Sequence, residues 1–240
     1  MNDIWHSLIR FESRDIVFQT YQKRHGRTPS AGRVRDITAN FIQGREYFLN
    51  ADRSAITVRP LLQYYGVLAL TRGLILTISC QKDAAALKPS HGLEHHDWAG
   101  TLKNGVASFG DLAVILGKGT FWELLEATDN TSYFRGNSSA VNWKVSFPLP
   151  VVGTKLSFFD VASSMVDVSS DYTIWMDKPL LSAKMDSLTM VNEEGKYEVK
   201  FPANTKEEVL NKIFAQPGLS YSITQKDEGV VCLRQSGVRG

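Results

Sequence analysis

Apolar positions recur at helical spacing through the front of the chain and at strand spacing through the rear. Ser13, followed by Arg14, Asp15 and Ile16, has the form of a helix N-cap with an acid in the first turn, and Gly26 after Arg24 and His25 supplies a left-handed stop. A helix of about three turns is predicted between them. Thr28, Pro29, Ser30, Ala31 and Gly32 read as a connector. Beyond it, Val34, Ile37, Phe41, Ile42, Tyr47 and Phe48 keep a helical period toward Asn50, which predicts a second helix with a bend near Gly44.

Pro60 suits a first helical position, and Leu61, Leu62, Tyr64, Tyr65, Val67, Leu68, Leu70, Leu74, Ile75 and Leu76 follow with little polar relief. A helix apolar on every side is expected at the centre of its domain. Its charges are Arg59 and Arg72. A buried guanidinium needs a partner, so Arg72 either reaches the surface or pairs with an acid of a neighbouring helix.

After about residue 140 the period changes to that of strands. Val141, Trp143, Val145 and Phe147 alternate with Asn142, Lys144 and Ser146 up to Pro148 and Pro150. Residues 188–191 and 197–201 flank Asn192-Glu193-Glu194-Gly195, and residues 220–224 and 230–233 flank Lys226-Asp227-Glu228-Gly229. Both pairs predict hairpins with a glycine in the loop. Thr205 ahead of Glu207, Glu208, Val209, Leu210, Ile213 and Phe214 predicts a capped amphipathic helix between them. The fold class is therefore α+β, with a mainly helical region over 1–138 and a mixed region with a small antiparallel sheet over 139–240. The pattern leaves open whether the two share a core.

Composition adds few constraints. Of 240 residues, 43% are hydrophobic and 22% charged, which is ordinary for a globular chain, and the net charge of +2 is too small to dictate a nucleic-acid or anionic-membrane partner. The cationic surplus sits at the front, where residues 1–60 hold ten Lys/Arg against six Asp/Glu. No basic region followed by an apolar run opens the sequence, and no uninterrupted apolar stretch has the length of a membrane span. Cys80 and Cys232 lie far apart without a zinc-ligand spacing, as expected of free thiols in a reducing compartment. A cytoplasmic location without membrane contact is the expectation.

Candidate chemistry is sparse. His91, His95, His96 and Asp97 form the one histidine cluster, and a helix there would present His91 and His95 to one metal. Gly92 weakens such a helix and no third ligand is indicated, so neither a metal nor another cofactor is expected. As acid–base groups, His91, His95 and Asp97, with Arg72, are the catalytic candidates. Gly117-Lys118-Gly119-Thr120 resembles the end of a phosphate loop, but Leu112 stands where its first glycine belongs and Gly119 where Ser or Thr belongs. It reads as a turn before a helix. The paired acids Glu193-Glu194 and Glu207-Glu208 fall where turns and helix starts favour acids. Arg10, Arg14, Lys23, Arg24, Arg27, Arg33 and Arg35, interspersed with aromatics such as Trp5, Tyr21, Tyr47, Tyr64, Tyr65 and Trp98, are the candidate binding set for DNA, RNA or protein.

Four segments carry a resemblance. Residues 4–13 (IWHSLIRFES), 41–48 (FIQGREYF), 58–66 (VRPLLQYYG) and 90–93 (SHGL) together resemble the YaaC-like family of bacterial proteins, most specifically over about residues 4–100. That resemblance implies ancestry and brings no settled activity. Residues 64–76 with the loop reaching Ser90-His91-Gly92 are also similar to the central helix-loop-helix of HEPN-type domains, many of which are ribonucleases or toxin components. That likeness implies a helical scaffold. It does not imply the ribonuclease activity, because no histidine here follows an arginine at the spacing those enzymes use. The leading expectation is a non-catalytic interaction or scaffold subunit of a bacterial complex, docked to a protein partner or to its own copies, with antiviral defence or nucleic-acid handling as the setting. A nucleic-acid- or nucleotide-directed hydrolase with a non-linear site, and a nucleic-acid-binding protein without catalysis, are the alternatives.

Overall fold

A computed structural model describes residues 3–135, 142–146, 148–163, 165, 168–176, 187–190, 196–200, 210, 221–227 and 230–235. In chain order these form α1 (Asp3–Ile9), a 3-10 turn (Arg10–Glu12), α2 (Arg14–His25), α3 (Ala31–Arg53), α4 (Arg59–Ile78), β1 (Leu93–His96), α5 (Trp98–Leu102), a second 3-10 turn (Val106–Asp111), β2 (Ala113–Leu116) and α6 (Thr120–Ala127). β3 (Thr131–Arg135), β4 (Asn142–Ser146), β5 (Lys155–Ser157), α7 (Phe158–Ala162), α8 (Ser169–Met176), β6 (Ser187–Met190), β7 (Lys196–Lys200), β8 (Tyr221–Asp227) and β9 (Val230–Gln235) follow. The chain is α+β with a helical front half. It divides into two compact units, one of residues 1–94, 116–131 and 149–153, the other of residues 95–115, 132–148 and 154–240.

The first unit is built on α3 and α4. Ser13 caps α2, its Oγ accepting from the Ile16 amide, and Gly26 ends the helix at φ 64°, a conformation glycine adopts without strain. Ser30 caps α3, so Ala31 and Gly32, expected in the connector, belong to the first helical turn. At Gly44, the expected site of a bend, the helix is not interrupted, since α3 runs unbroken for 23 residues. Gly44 serves contact instead: a Cβ there would lie 2.6 Å from the Leu70 side chain, and one at Gly66 would lie 2.8 Å from the Phe48 ring. Both helices therefore need bare backbone where they cross. Val17, Tyr21, Val34, Ile37, Phe41, Ile75, Leu76 and Leu87 fill the core. Arg45 of α3 grips Glu12 through two hydrogen bonds of 2.6 and 3.2 Å, and this pairing holds the guanidinium's pKa above its ordinary value.

The expectation of an α4 buried on every side fails. Its inner side, with Gly66, Ala69, Gly73, Ile75, Leu76 and Thr77, is buried, but Leu61 and Val67 are each 55% exposed and Tyr64, Tyr65 and Leu74 lie open as well. Among the described residues, the first turns of α4 have no neighbour on that side comparable to the glycine-lined contact with α3. Arg72 is half-buried and forms no ion pair or hydrogen bond among the described residues. Of its two expected fates, pairing with an acid is not seen among the described residues, and partial exposure agrees with the other, a side chain that reaches the surface.

The second unit contains the antiparallel pairing of β2 with β5, in the register Val114 to Leu156, within a sheet of order β1-β2-β5. Ser157 and Asp160 form a capping box on α7. A four-stranded antiparallel sheet of order β6-β7-β9-β8 comprises the two expected hairpins. Lys226 and Asp227, expected in the second hairpin's loop, extend β8 and pair with Val231 and Val230. The helix expected from Thr205 to Phe214 lies outside the described residues apart from Leu210.

Candidate functional site

The distinctive local geometry of the first unit lies where residues 88–94 meet the start of α6. Gly117 donates to the Gly92 carbonyl, Thr120 to the Ser90 carbonyl and Phe121 to the His91 carbonyl, all within 3.0 Å. These bonds occupy amides at the start of α6. A phosphate would need the same amides, so Gly117-Lys118-Gly119-Thr120 forms a structural turn, as expected. Gly92, at φ 79°, approaches so closely that a Cβ would lie 2.7 Å from the Gly119 nitrogen. Glu123, buried on α6, accepts from the Lys88 amide at 3.3 Å and pairs with Lys82 at 3.4 Å. Glu126 accepts from Trp122 Nε1 and from Lys82, and these bonds, the Trp122 one foremost, hold its carboxyl below the usual range.

This junction fixes the backbone beneath His91. The Leu93 amide donates to His91 Nδ1 at 3.0 Å, which in the neutral ring leaves the proton on Nε2. The exposed ring meets Tyr64 edge to face at a centroid distance of 5.7 Å; Tyr64 meets Tyr65 at 5.3 Å, and Tyr65 stacks on Tyr47 at 5.7 Å. His91, Tyr64, Tyr65 and Tyr47 thus form a continuous aromatic row on the first unit. Desolvation by burial, and secondarily the neighbouring Tyr65, push the Tyr64 phenol's pKa up, so it keeps its proton at neutral pH and can both donate and accept.

The loop that holds His91 is not helical, and His95 lies in β1, so the i, i+4 helical pairing is lost. His91 belongs to the first unit, whereas His95 and Asp97 belong to the second. There His95 tilts against Trp98 with centroids 6.0 Å apart, and Asp97, at φ 40°, caps α5 by accepting from the Gly100 amide. Among the described residues no group of three or more His, Cys, Asp or Glu is placed to hold a metal ion.

Arg33 is engaged at the C-terminus of α4, donating to the carbonyls of Leu76, Ser79 and Lys82 at 3.1, 3.0 and 2.5 Å while lying over the Tyr21 ring. His25 Nε2 lies 2.9 Å from the Thr77 carbonyl. Since α4 has no basic residue in its own last turn, α3 and α2 supply the groups that complement its dipole. Lys23 and Arg24, exposed at the end of α2, favour that helix's own C-terminus in the same way. Arg10, Arg14, Arg27 and Arg35 are exposed, Arg35 beside Asp36. A cavity of ≈ 450 Å³ beside Arg33 is lined by Ser30, Asp36, Leu76 and Asp83, so its two carboxylates offset the one guanidinium.

The sequence profile described as YaaC-like Protein matches residues 10–228. The chain belongs to the YaaC-like family. No curated protein and no solved structure matches it, and the similarity to HEPN-type domains gains no support from these comparisons. What the sequence pattern missed in this YaaC-like chain is the open side of α4. Its apolar residues look alike on both sides of the helix, and nothing local distinguishes those that will be covered. Glu123 was equally hidden, since an acid in the first turn of a helix needs no further explanation.

Proposed function

We propose that this YaaC-like protein is a non-catalytic interaction subunit that docks a partner protein on the outward flank of α4. The observation that carries this reading is the stripe Tyr64, Val67, Thr71 and Leu74, spaced for one helix face, with Tyr64, Val67 and Leu74 exposed and His91 and Tyr65 alongside. Tyrosine combines a large apolar area with a polar tip and few rotors, which suits an interface centre. The stripe carries no charge that burial would leave unpaired. Docking of an amphipathic helix is the mode such spacing favours.

The test is isolation of the tagged full chain from its source cells, followed by native mass spectrometry. A discrete stoichiometric complex is expected for the unaltered chain, and Val67→Asp is expected to abolish it without lowering the thermal midpoint. Turnover of a nucleotide, RNA or DNA substrate by the purified chain would overturn the proposal.

A further inference from the structure

We infer that the partner docked on α4 is an acidic amphipathic helix of another protein, whose apolar stripe is flanked by Asp or Glu side chains, one of them paired with Arg72. The inference rests on the partner-docking reading and names the chemistry of that partner.

Arg72 carries it. Of the two cations of α4, Arg59 donates to the carbonyls of Ala51 and Ser54, whereas Arg72 has no ion pair or hydrogen bond among the described residues. Leu61, Tyr65, Leu68 and Arg72 recur at the spacing of one helix side, so the guanidinium lies on the side of α4 that holds the exposed Leu61 and Tyr65. A guanidinium covered by a partner there loses its water, and an acceptor on that partner must replace it. A carboxylate does this best, because its two oxygens match the planar fork of the arginine. The fold keeps no acid of its own free for the task. No Asp or Glu occurs between Asp52 and Asp83, and on the facing α3 Asp36 and Glu46 are paired with Arg35 and Arg45.

The other end of the flank offers donors as well. His91 Nδ1 accepts from the Leu93 amide, which leaves the neutral ring an N–H at Nε2, and the Tyr64 hydroxyl beside it can donate. Glu94, the acid closest to His91 in the preceding and following chain, lies against Gly117. Tyr64 and Arg72 are eight residues apart, about 12 Å along the helix axis. A helix lying along α4 reaches both with acids seven or eight residues apart, while a small anion cannot bridge them. One free guanidinium is too little for a phosphate backbone, which needs a concentrated basic surface. A second copy fits no better, since its own α4 carries no acid and a symmetric pairing of the two helices would cover Arg72 without an acceptor.

The experiment uses the tagged full chain isolated with its partner from source cells. In the Arg72→Lys variant a water-soluble carbodiimide joins the new amine to a carboxylate in contact with it, and mass spectrometry of the digest locates the bond. A link from position 72 to an Asp or Glu of a different protein is expected. Arg72→Glu is expected to cut the complexed fraction about tenfold, Arg72→Gln to cut it less, and Arg72→Lys to leave most of it, with the unaltered complex weakening as salt rises. Because Arg72 has no partner within the fold, each variant is expected to keep the unaltered chain's thermal midpoint; Arg72→Gln replaces Arg72→Glu should the latter lower it. A complex undiminished by Arg72→Glu, no link from position 72, or links only to acids of this chain or of a second copy would overturn the inference and leave partner docking standing. The absence of any protein complex with the unaltered chain, or RNA or DNA in its place, would overturn both.

Discussion

The two ends of α4 have similar composition and opposite surroundings. Near its C-terminus Ile75 and Leu76 are fully enclosed, α2 and α6 pack nearby, and His25 and Arg33 satisfy the terminal carbonyls. Near its N-terminus Leu61, Tyr64 and Val67 face outward, and no side chain caps the helix. The difference shows that apolar content does not decide which end becomes core; what decides is whether other elements reach it. One end of the helix builds the fold, and the other lies open.

Substitutions along α4 can break or sharpen this contrast. Ile75→Ala should be the most damaging, because it empties volume in an enclosed cluster; a loss of about 2–5 kcal/mol is expected in urea denaturation. Arg33→Met should follow, at about 2–3 kcal/mol, since three carbonyls lose a charged donor at once. A result near zero would mean that water caps α4 equally well. Gly44→Ala is expected to cost about 1–3 kcal/mol in the same measurement, as its Cβ would press on Leu70 and the Gly66 carbonyl. Leu61→Asp should stay within about 0.5 kcal/mol, the range of exposed substitutions. A cost near that of Ile75→Ala would erase the distinction between the ends.

How much of this was legible in the sequence follows from the reach of each interaction. Ser13 and Gly26 mark the ends of α2 correctly because a cap involves neighbours a few residues away. The hairpins of β6 with β7 and β8 with β9 were legible through alternation and short connections. By contrast Arg33, counted among cationic surface candidates, is a helix cap through carbonyls 43 to 49 residues distant, a role no local pattern encodes. Gly44 reads locally as a weak point in a helix, whereas the contact that calls for glycine lies on the facing helix. The grouping of His91 with His95 rested on a helical spacing that the chain does not adopt. The aromatic row likewise links Tyr47, Tyr64 and His91 across separate elements, so only its individual residues were visible beforehand.

The most direct test of the central claim, that the outward flank of α4 is a docking surface and not core, is native mass spectrometry of the tagged chain and its Val67→Asp variant isolated from source cells. The unaltered chain should carry a stoichiometric protein partner, and the variant should appear as the bare folded chain. The same partner on both, or on neither, would contradict it.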